Sequence, residues 1–442
     1  MMNVAVAKTS TSQPLDEVFA VARDRLPGSG AVADVRQAAF DDFTSRGLPH
    51  RRIEEWKYTD LRMMLREIAP LALAPDQAAL GRAAAAVKSL GVEGVQTFVL
   101  VNGTFAPQLS DVGGLEKGVS VRTLREILED KSNAARADLL LTSVASDAMI
   151  SLNAALATDG MVIDVADGVA LNKPLHIVHV ATHSETSVVT RSLVKVGKDA
   201  RVTLVESFIA ADGAKAYQSH DSVVVSVGDR ADLQHIRLME DALDAANITT
   251  AIFTLGTKTR LNTFNLTHGA KVSRYQGFIR FDGEGAELTT NGVNLLGGQR
   301  HGDTTLLVDH AVPGCMSREV FRSVLDGRGH SVFQGRIIVR PDAQQTDGKM
   351  MTRALLLSDE AEIDNKPELE IFADDVSCGH GATAGALDES LLFYLRARGL
   401  PEKEAQALLV EAFVGEAIES IQNDDLRDIA IAAAQRWLAA RE

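Results

Sequence analysis

The residues best suited to chemistry in this sequence are Cys378 and His380, in the segment VSCGHGATAG over 376–385. Two residues apart, they project to the same face of an extended strand. A thiolate and an imidazole are ligands for iron, zinc or a sulfur intermediate. Two ligands are too few for a stable metal site, which commonly takes three or four. Metal binding here therefore needs ligands from elsewhere, another chain included, and the glycines flanking His380 permit close approach of a second backbone. The plain alternative is that Cys378 is a small packing residue and His380 a hydrogen-bonded turn residue. Cys315, in AVPGCMS, has no histidine at such close spacing and reads as structural. His176 and His179 differ by an odd number, so one regular strand turns them to opposite faces. They and the pair His301 and His310 read as packed or solvated histidines.

Other chemistry is conspicuous by its absence. The sequence shows no GxxxxGK[ST], no GxGxxG opening a helix, no HExxH, no GxSxG and no CxxC. The net charge of −15, from 45 Lys plus Arg against 60 Asp plus Glu, would repel a phosphate backbone, which argues against nucleic acid as the main partner. The first dozen residues, MMNVAVAKTSTS, lack a basic start and an apolar block of leader length, and no later stretch is apolar enough to span a bilayer. A soluble cytoplasmic protein is expected, and two cysteines in 442 residues suit a reducing compartment.

Three textures position these residues. Residues 1–96 read as a helical domain: Leu15, Val18, Phe19, Ala22 and Leu26 fall at helical spacing, as do Val35, Ala38, Ala39 and Phe43. Breakers stand at Pro27-Gly28, Gly47-Leu48-Pro49 and Ala74-Pro75, and a third helix continues over 83–87. Residues 97–386 alternate polar with Val, Ile, Thr and Leu in short runs. Strand–turn–strand segments recur there with turn glycines at Gly197, Gly228, Gly256, Gly283 and Gly327. A unit that cannot bury its own apolar face stacks on copies of itself. The expectation is a parallel β-helix of strands about five residues long, with glycines supplying positive φ at each corner; a two-sheet sandwich is the alternative. Residues 387–442 are helical again, with Asp388 as an N-cap, Gly399 as a stop and Pro401 opening the next helix. Leu408, Leu409, Ala412 and Phe413 form one stripe there, and Leu426, Ile429, Ala430, Ala433 and Trp437 another. These helices pack on each other or offer a docking face.

Three long segments in fixed order resemble the SufB/SufD family of iron–sulfur assembly proteins. They are HAVPGCMSREVFRSVLDGRGHSVFQGRIIVRPDAQQTDGK from His310, LLLSDEAEIDNKPELEIFADDVSCGHGATAG, and LLFYLRARGLPEKEAQALLVEAF. The likeness is dense over the last third and loose over the preceding strands. RRIEEWKYTDL over 51–61 and the CGHGAT segment look like the SufD branch; SufB-like chains carry Glu-His-Glu at the latter. Gly379 departs from a serine common in relatives.

The resemblance implies a mostly β fold, a right-handed parallel β-helix flanked by N- and C-terminal helical domains. It implies a non-catalytic scaffold that pairs with a SufB-like paralogue and two copies of a SufC-like ATPase, or forms a homodimer when alone. No tightly bound cofactor is expected, only transient iron or an iron–sulfur cluster at the junction with SufB. His380, and with it Cys378, would stand at that junction, His380 as an iron ligand or a polar residue of the cluster site. The helices over 389–421 would hold the ATPase through Phe393, Tyr394, Arg398, Leu408 and Phe413. The rival readings are a SufB-like direct cluster scaffold, a β-helix enzyme acting on acidic polysaccharide, and a generic adaptor.

Overall fold

The glycine-punctuated segments form two parallel sheets facing one another in the computed structural model, which describes residues 12–440. The segment read for a leader falls almost wholly outside the described residues, as does the side chain of Leu15. From Met161–Val165 onward, successive strands alternate between a nine-stranded and a ten-stranded sheet, which makes eight coils of a β-solenoid. Each strand pairs in parallel with the one a coil earlier. The steps run from 26 residues (Ala246 to Val272) to 32 (His330 to Glu362). The parallel pairing removes the sandwich alternative.

Two corrections concern the repeat. Most strands are ten residues long, such as Gln218–Val227 and Glu287–Leu296, and not about five. A coil of about thirty residues with only two sheets divides into two long strands and two short corners. The turn glycines also act differently from the expectation. Gly197, Gly228, Gly256 and Gly283 do not take positive φ; that conformation falls two residues later, at Asp199 (57°), Arg230 (56°), Lys258 (53°) and Gly285 (68°). The glycines are needed because each corner stacks on the one before. A Cβ at Gly197 would stand 2.6 Å from the carbonyl carbon of Ala166, and one at Gly228 would stand 2.8 Å from the backbone N of Lys198. Gly327, which does have positive φ at 61°, belongs to the opposite corner column, where it stacks on Gly298. The irregular last spacing was a jump between columns.

The lumen is packed with inward-facing side chains such as Phe253, Phe281, Phe333 and Ile337. Each such burial contributes about 1.5–3 kcal/mol. Helices cover the outer faces. Ala31–Arg46 and the segment around Trp56 lie over the nine-stranded sheet, joining Phe40, Phe43 and Trp56 to Val189, Ile248 and Val272. The inward stripe of Ala31–Arg46 is Val32, Arg36, Phe40 and Phe43, whereas the predicted Ala38 is exposed. Arg36 belongs inside because its guanidinium donates to the carbonyls of Ala154, Ala155 and Ala157, the unpaired C-terminal end of helix Ala148–Leu156. That helix and Leu124–Glu129 interrupt the stretch read as strands.

The C-terminal helices Glu402–Ile418 and Asp424–Ala439 pack on the outer face of the ten-stranded sheet, joining Val410, Val414 and Trp437 to Val205, Phe264 and Val324. The first of them turns Ala405, Val410, Val414, Ala417 and Ile418 inward, not the predicted stripe. Its segment ALLVEAFVGEAI is apolar almost all round, so periodicity defines no single phase. Helix Asp424–Ala439 buries Leu426, Ala430, Ala433 and Trp437 as expected.

Candidate functional site

The two ends of the solenoid are finished differently. Antiparallel additions close the N-terminal end, Thr104–Phe105 on Gln96–Val101 and Val119–Thr123 on Met161–Val165. At the other end, Glu362–Ile371 and Ser377–Gly385 each have a neighbour on one side only among the described residues. Their free edges expose a row of backbone donors and acceptors. Glu362–Ile371 carries Glu362, Asp364, Lys366, Pro367, Glu368 and Glu370, residues that discourage further strand pairing. Ser377–Gly385, with sequence SCGHGATAG, carries no carboxylate, lysine, arginine or proline. Its edge lacks the residues that discourage further pairing.

The predicted pair stands on this open strand. Register sets Cys378 against Gly348 and His380 against Met350 of the preceding coil. Met350 is buried in the inner core and Cys378 packs against that core, so Cys378 and His380 share the lumen-facing side. His380 is exposed and Cys378 half-buried. Burial pushes the Cys378 thiol up, a Gly348 backbone hydrogen bond offsets part of this, and Asp347 adds to the rise. Uncovered, Cys378 is a thiol rather than a ready thiolate nucleophile. Gly379 and Gly381 border a groove of about 350 Å³ beside Arg318 and Lys349. A Cβ at Gly379 would meet nothing within 4 Å, so a serine fits there without rearrangement.

One residue of this end escaped sequence reasoning. Glu319 lies two coils below His380 in the same register column, through Met350. It is fully buried, and neither carboxylate oxygen has a hydrogen-bond partner. Burial alone pushes its carboxyl up to about 8. In the sequence it reads as an ordinary polar position in SREVF; only the parity of a solenoid strand reveals that it faces inward. Beside it, Arg318 donates to Asp347 Oδ2 at 2.5 Å, and Lys349 Nζ stands 3.7 Å from Asp347 Oδ1.

The other cysteine and the remaining histidines behave as packing residues or as partners in hydrogen bonds. Cys315 is buried against the Gly283 carbonyl. His176 meets Ser207 Oγ at 2.9 Å on the outer side of its strand, while His179 faces the lumen and stacks on Phe208. His301 joins Thr59 and His330 on the outer face, and His310 stacks on Phe281 inside.

The predicted docking residues split into two groups. Phe393, Tyr394 and Leu408 are exposed at 74%, 54% and 46%, with Leu391 beside them at 51%. Arg398 joins them, donating to Tyr394 Oη at 3.0 Å. Phe413 faces the solenoid instead, half-buried with the Arg322 guanidinium 5.2 Å from its ring.

Comparison with known proteins decides the family. A profile described as "SUF system FeS cluster assembly, SufBD core domain" matches residues 179–413, and one described as "SufBD protein N-terminal region" matches residues 11–177. The chain belongs to the SufBD family. An iron–sulfur cluster assembly SufBD family protein of Synechocystis sp. is 30% identical over 401 residues, which covers 88% of this chain and 87% of that protein. The iron–sulfur cluster assembly protein SufD of Escherichia coli is 29% identical over 394 residues, 87% of this chain and 88% of that protein. SufD of Bacillus subtilis is 24% identical over 302 residues, 65% and 66% of the two chains. The SufBD core match takes in the solenoid from its second coil onward, the open strand with Cys378 and His380, helix Glu389–Ala397 and most of helix Glu402–Ile418. Among the described residues no helix is long and apolar enough to cross a membrane.

Proposed function

We propose that this SufD-like chain is a non-catalytic scaffold of the SUF machinery, acting in the reducing cytoplasm. It joins a SufB-like paralogue through the open end of its solenoid and docks a SufC-like ATPase on its C-terminal helices. The observation that carries this reading is the unguarded strand Ser377–Gly385, with its free edge and with Cys378 and His380 turned toward the lumen. Adding a partner strand there satisfies the unpaired backbone groups and encloses both side chains. Iron and sulfide are cargo in this scheme. His380 ligates the iron or polarises the site, and Cys378 supplies a further soft ligand once metal draws off its proton.

The mechanical link runs through the C-terminal helices. They pack directly on the outer face of the ten-stranded sheet whose last member is Ser377–Gly385. Movement of an ATPase held by Phe393, Tyr394 and Leu408 therefore acts on the sheet that bears the site. The test is co-purification of the tagged chain from its native host, followed by His380→Ala. Recovery of the paralogue and the ATPase in fixed ratio, with cluster formation lost in the variant but assembly intact, fits the proposal. Loss of assembly in His380→Ala gives that residue a structural role, and a partnerless chain rejects the scaffold reading. The same open edge would pair two copies of this chain when it is purified alone, which light scattering would reveal as a dimer.

A further inference from the structure

In the first three coils of the solenoid, far in sequence from the open end, the lumen becomes polar. His179 and Glu206 enter it from the ten-stranded sheet and Asp221 from the nine-stranded one, with respective exposures of 4%, 0% and 2%. One ligand atom from each lies within 4.8 Å of the other two. His179 Nε2, Glu206 Oε1 and Asp221 Oδ2 all lack a hydrogen-bond partner. These atoms make no hydrogen bonds; attraction between a protonated His179 and the Glu206 and Asp221 carboxylates offsets part of their lost hydration, and a bound cation would take that proton's place. His179 Nε2 stands 3.9 Å from Glu206 Oε1. That is too long for a hydrogen bond and close to the separation of two ligands on one ion, given metal–ligand bonds of about 2.0–2.2 Å.

The second atom of each group is already held. Thr190 Oγ1 donates to Asp221 Oδ1 at 2.5 Å and lies 3.4 Å from His179 Nδ1. His235 Nε2 contacts Glu206 Oε2 at 2.7 Å. Partners of this kind orient the ligands of a metal and leave the other atom free to bind. Phe208, stacked on His179 at 4.3 Å, fixes the imidazole plane.

We infer that His179, Glu206 and Asp221 form a binding site for one divalent first-row transition cation inside the solenoid. The donor set of one imidazole nitrogen and two carboxylate oxygens suits Fe(II), Mn(II), Co(II) or Zn(II) and excludes soft Cu(I). Two carboxylates face the ion, and the buried Arg237 and Asp241 act on the cluster as a further pair of opposite charges. This runs against the expectation of no tightly bound cofactor, and it does not depend on the proposed role of His380 and Cys378. Among the described residues the other such trio, His330, Glu362 and Asp364, is partly exposed, and its His330–Asp364 contact at 2.9 Å is already satisfied. It serves as a control.

The experiment uses the full chain, produced in zinc-supplemented medium because the site is enclosed, then depleted by chelation and reloaded. Metal content is measured by mass spectrometry and Zn(II) affinity by equilibrium dialysis. Co(II) absorption and Mn(II) spin resonance report nitrogen coordination. About one equivalent is expected per chain, unchanged in a His380→Ala/Cys378→Ala double variant and in Asp364→Asn. Asp221→Asn, nearly isosteric, should weaken binding on the order of 100-fold. Thr190→Val, which touches only the orienting hydroxyl, should weaken it about 10-fold. Circular dichroism and elution volume establish that the variants fold. A chain that takes up no metal overturns the inference. So does uptake lost in the His380/Cys378 or Asp364 variants but kept in folded Asp221→Asn and Thr190→Val.

Discussion

Glu319 makes the stability of this protein depend on pH in a direction opposite to that of most carboxylates. A salt-bridged carboxylate has a depressed folded pKa and loses its stabilisation as pH falls. Glu319 has no partner, and burial raises its carboxyl from 4.5 to about 8. Between those values the folded chain holds a proton that the unfolded chain has released, so stability falls as pH rises through that window. At about 1.4 kcal/mol per pH unit, the full window corresponds to roughly 4–5 kcal/mol. Glu319→Gln keeps the shape and removes the titration. Urea denaturation followed by circular dichroism at pH 5.5, 7.0 and 8.5 reads the effect as a shift of midpoint. The variant should gain stability over the parent by several kcal/mol at pH 8.5 and by little at pH 5.5. Parallel pH profiles for the two proteins would refute the reasoning, since they would mean that Glu319 has a counter-charge or solvent access. At neutral pH the residue is then mainly the protonated acid, a hydrogen-bond donor two coils below His380.

Outcomes for four further variants are expected. Gly197→Ala should cost about 1–3 kcal/mol, read by denaturant midpoint, because its Cβ would collide with backbone at Ala166 and Asp167; Gly379→Ser, with open space around it, should be neutral. Phe393→Asp should leave thermal unfolding unchanged, since the side chain is 74% exposed, and should weaken binding of the proposed ATPase partner at least about 10-fold by calorimetry. Arg36→Met should cost about 2–4 kcal/mol, because it strips the carbonyls of Ala154, Ala155 and Ala157 of a buried charged donor.

The architecture was legible because a solenoid writes its period into the sequence. Glycine must recur wherever one corner stacks on another, and it does so at Gly197, Gly228, Gly256 and Gly283. The reason for those glycines was not legible, since positive φ and steric contact demand the same residue. Cys378 and His380 could be placed on one face because a two-residue spacing fixes that on any strand. Glu319, His179, Glu206 and Asp221 could not be found the same way. Each looks like the polar half of an ordinary alternation, and their meeting depends on coil length and sheet identity, which no local pattern encodes. The helix phase at Leu408 was lost for the opposite reason: too many apolar residues, so several faces compete.

These unseen groups share a register logic. The column beneath His380 runs through Met350, Glu319, Thr290 and Thr263 to His235, each from one coil to the next on the ten-stranded sheet. Thr263 donates to Thr290 at 2.7 Å, and His235 contacts Glu206 at 2.7 Å. The neighbouring column is filled with Leu233, Leu261 and Leu288, so the fold has no difficulty burying apolar residues at such positions. A buried ion pair or acid is commonly no better for stability than an apolar residue of the same volume. Polar groups aligned from the lumen cluster toward the open end therefore cost stability without a packing reason. That cost makes sense if the lumen serves the chemistry proposed for that end. Replacing Glu319 by leucine tests this directly: a chain that becomes more stable but forms clusters less well would separate the two roles.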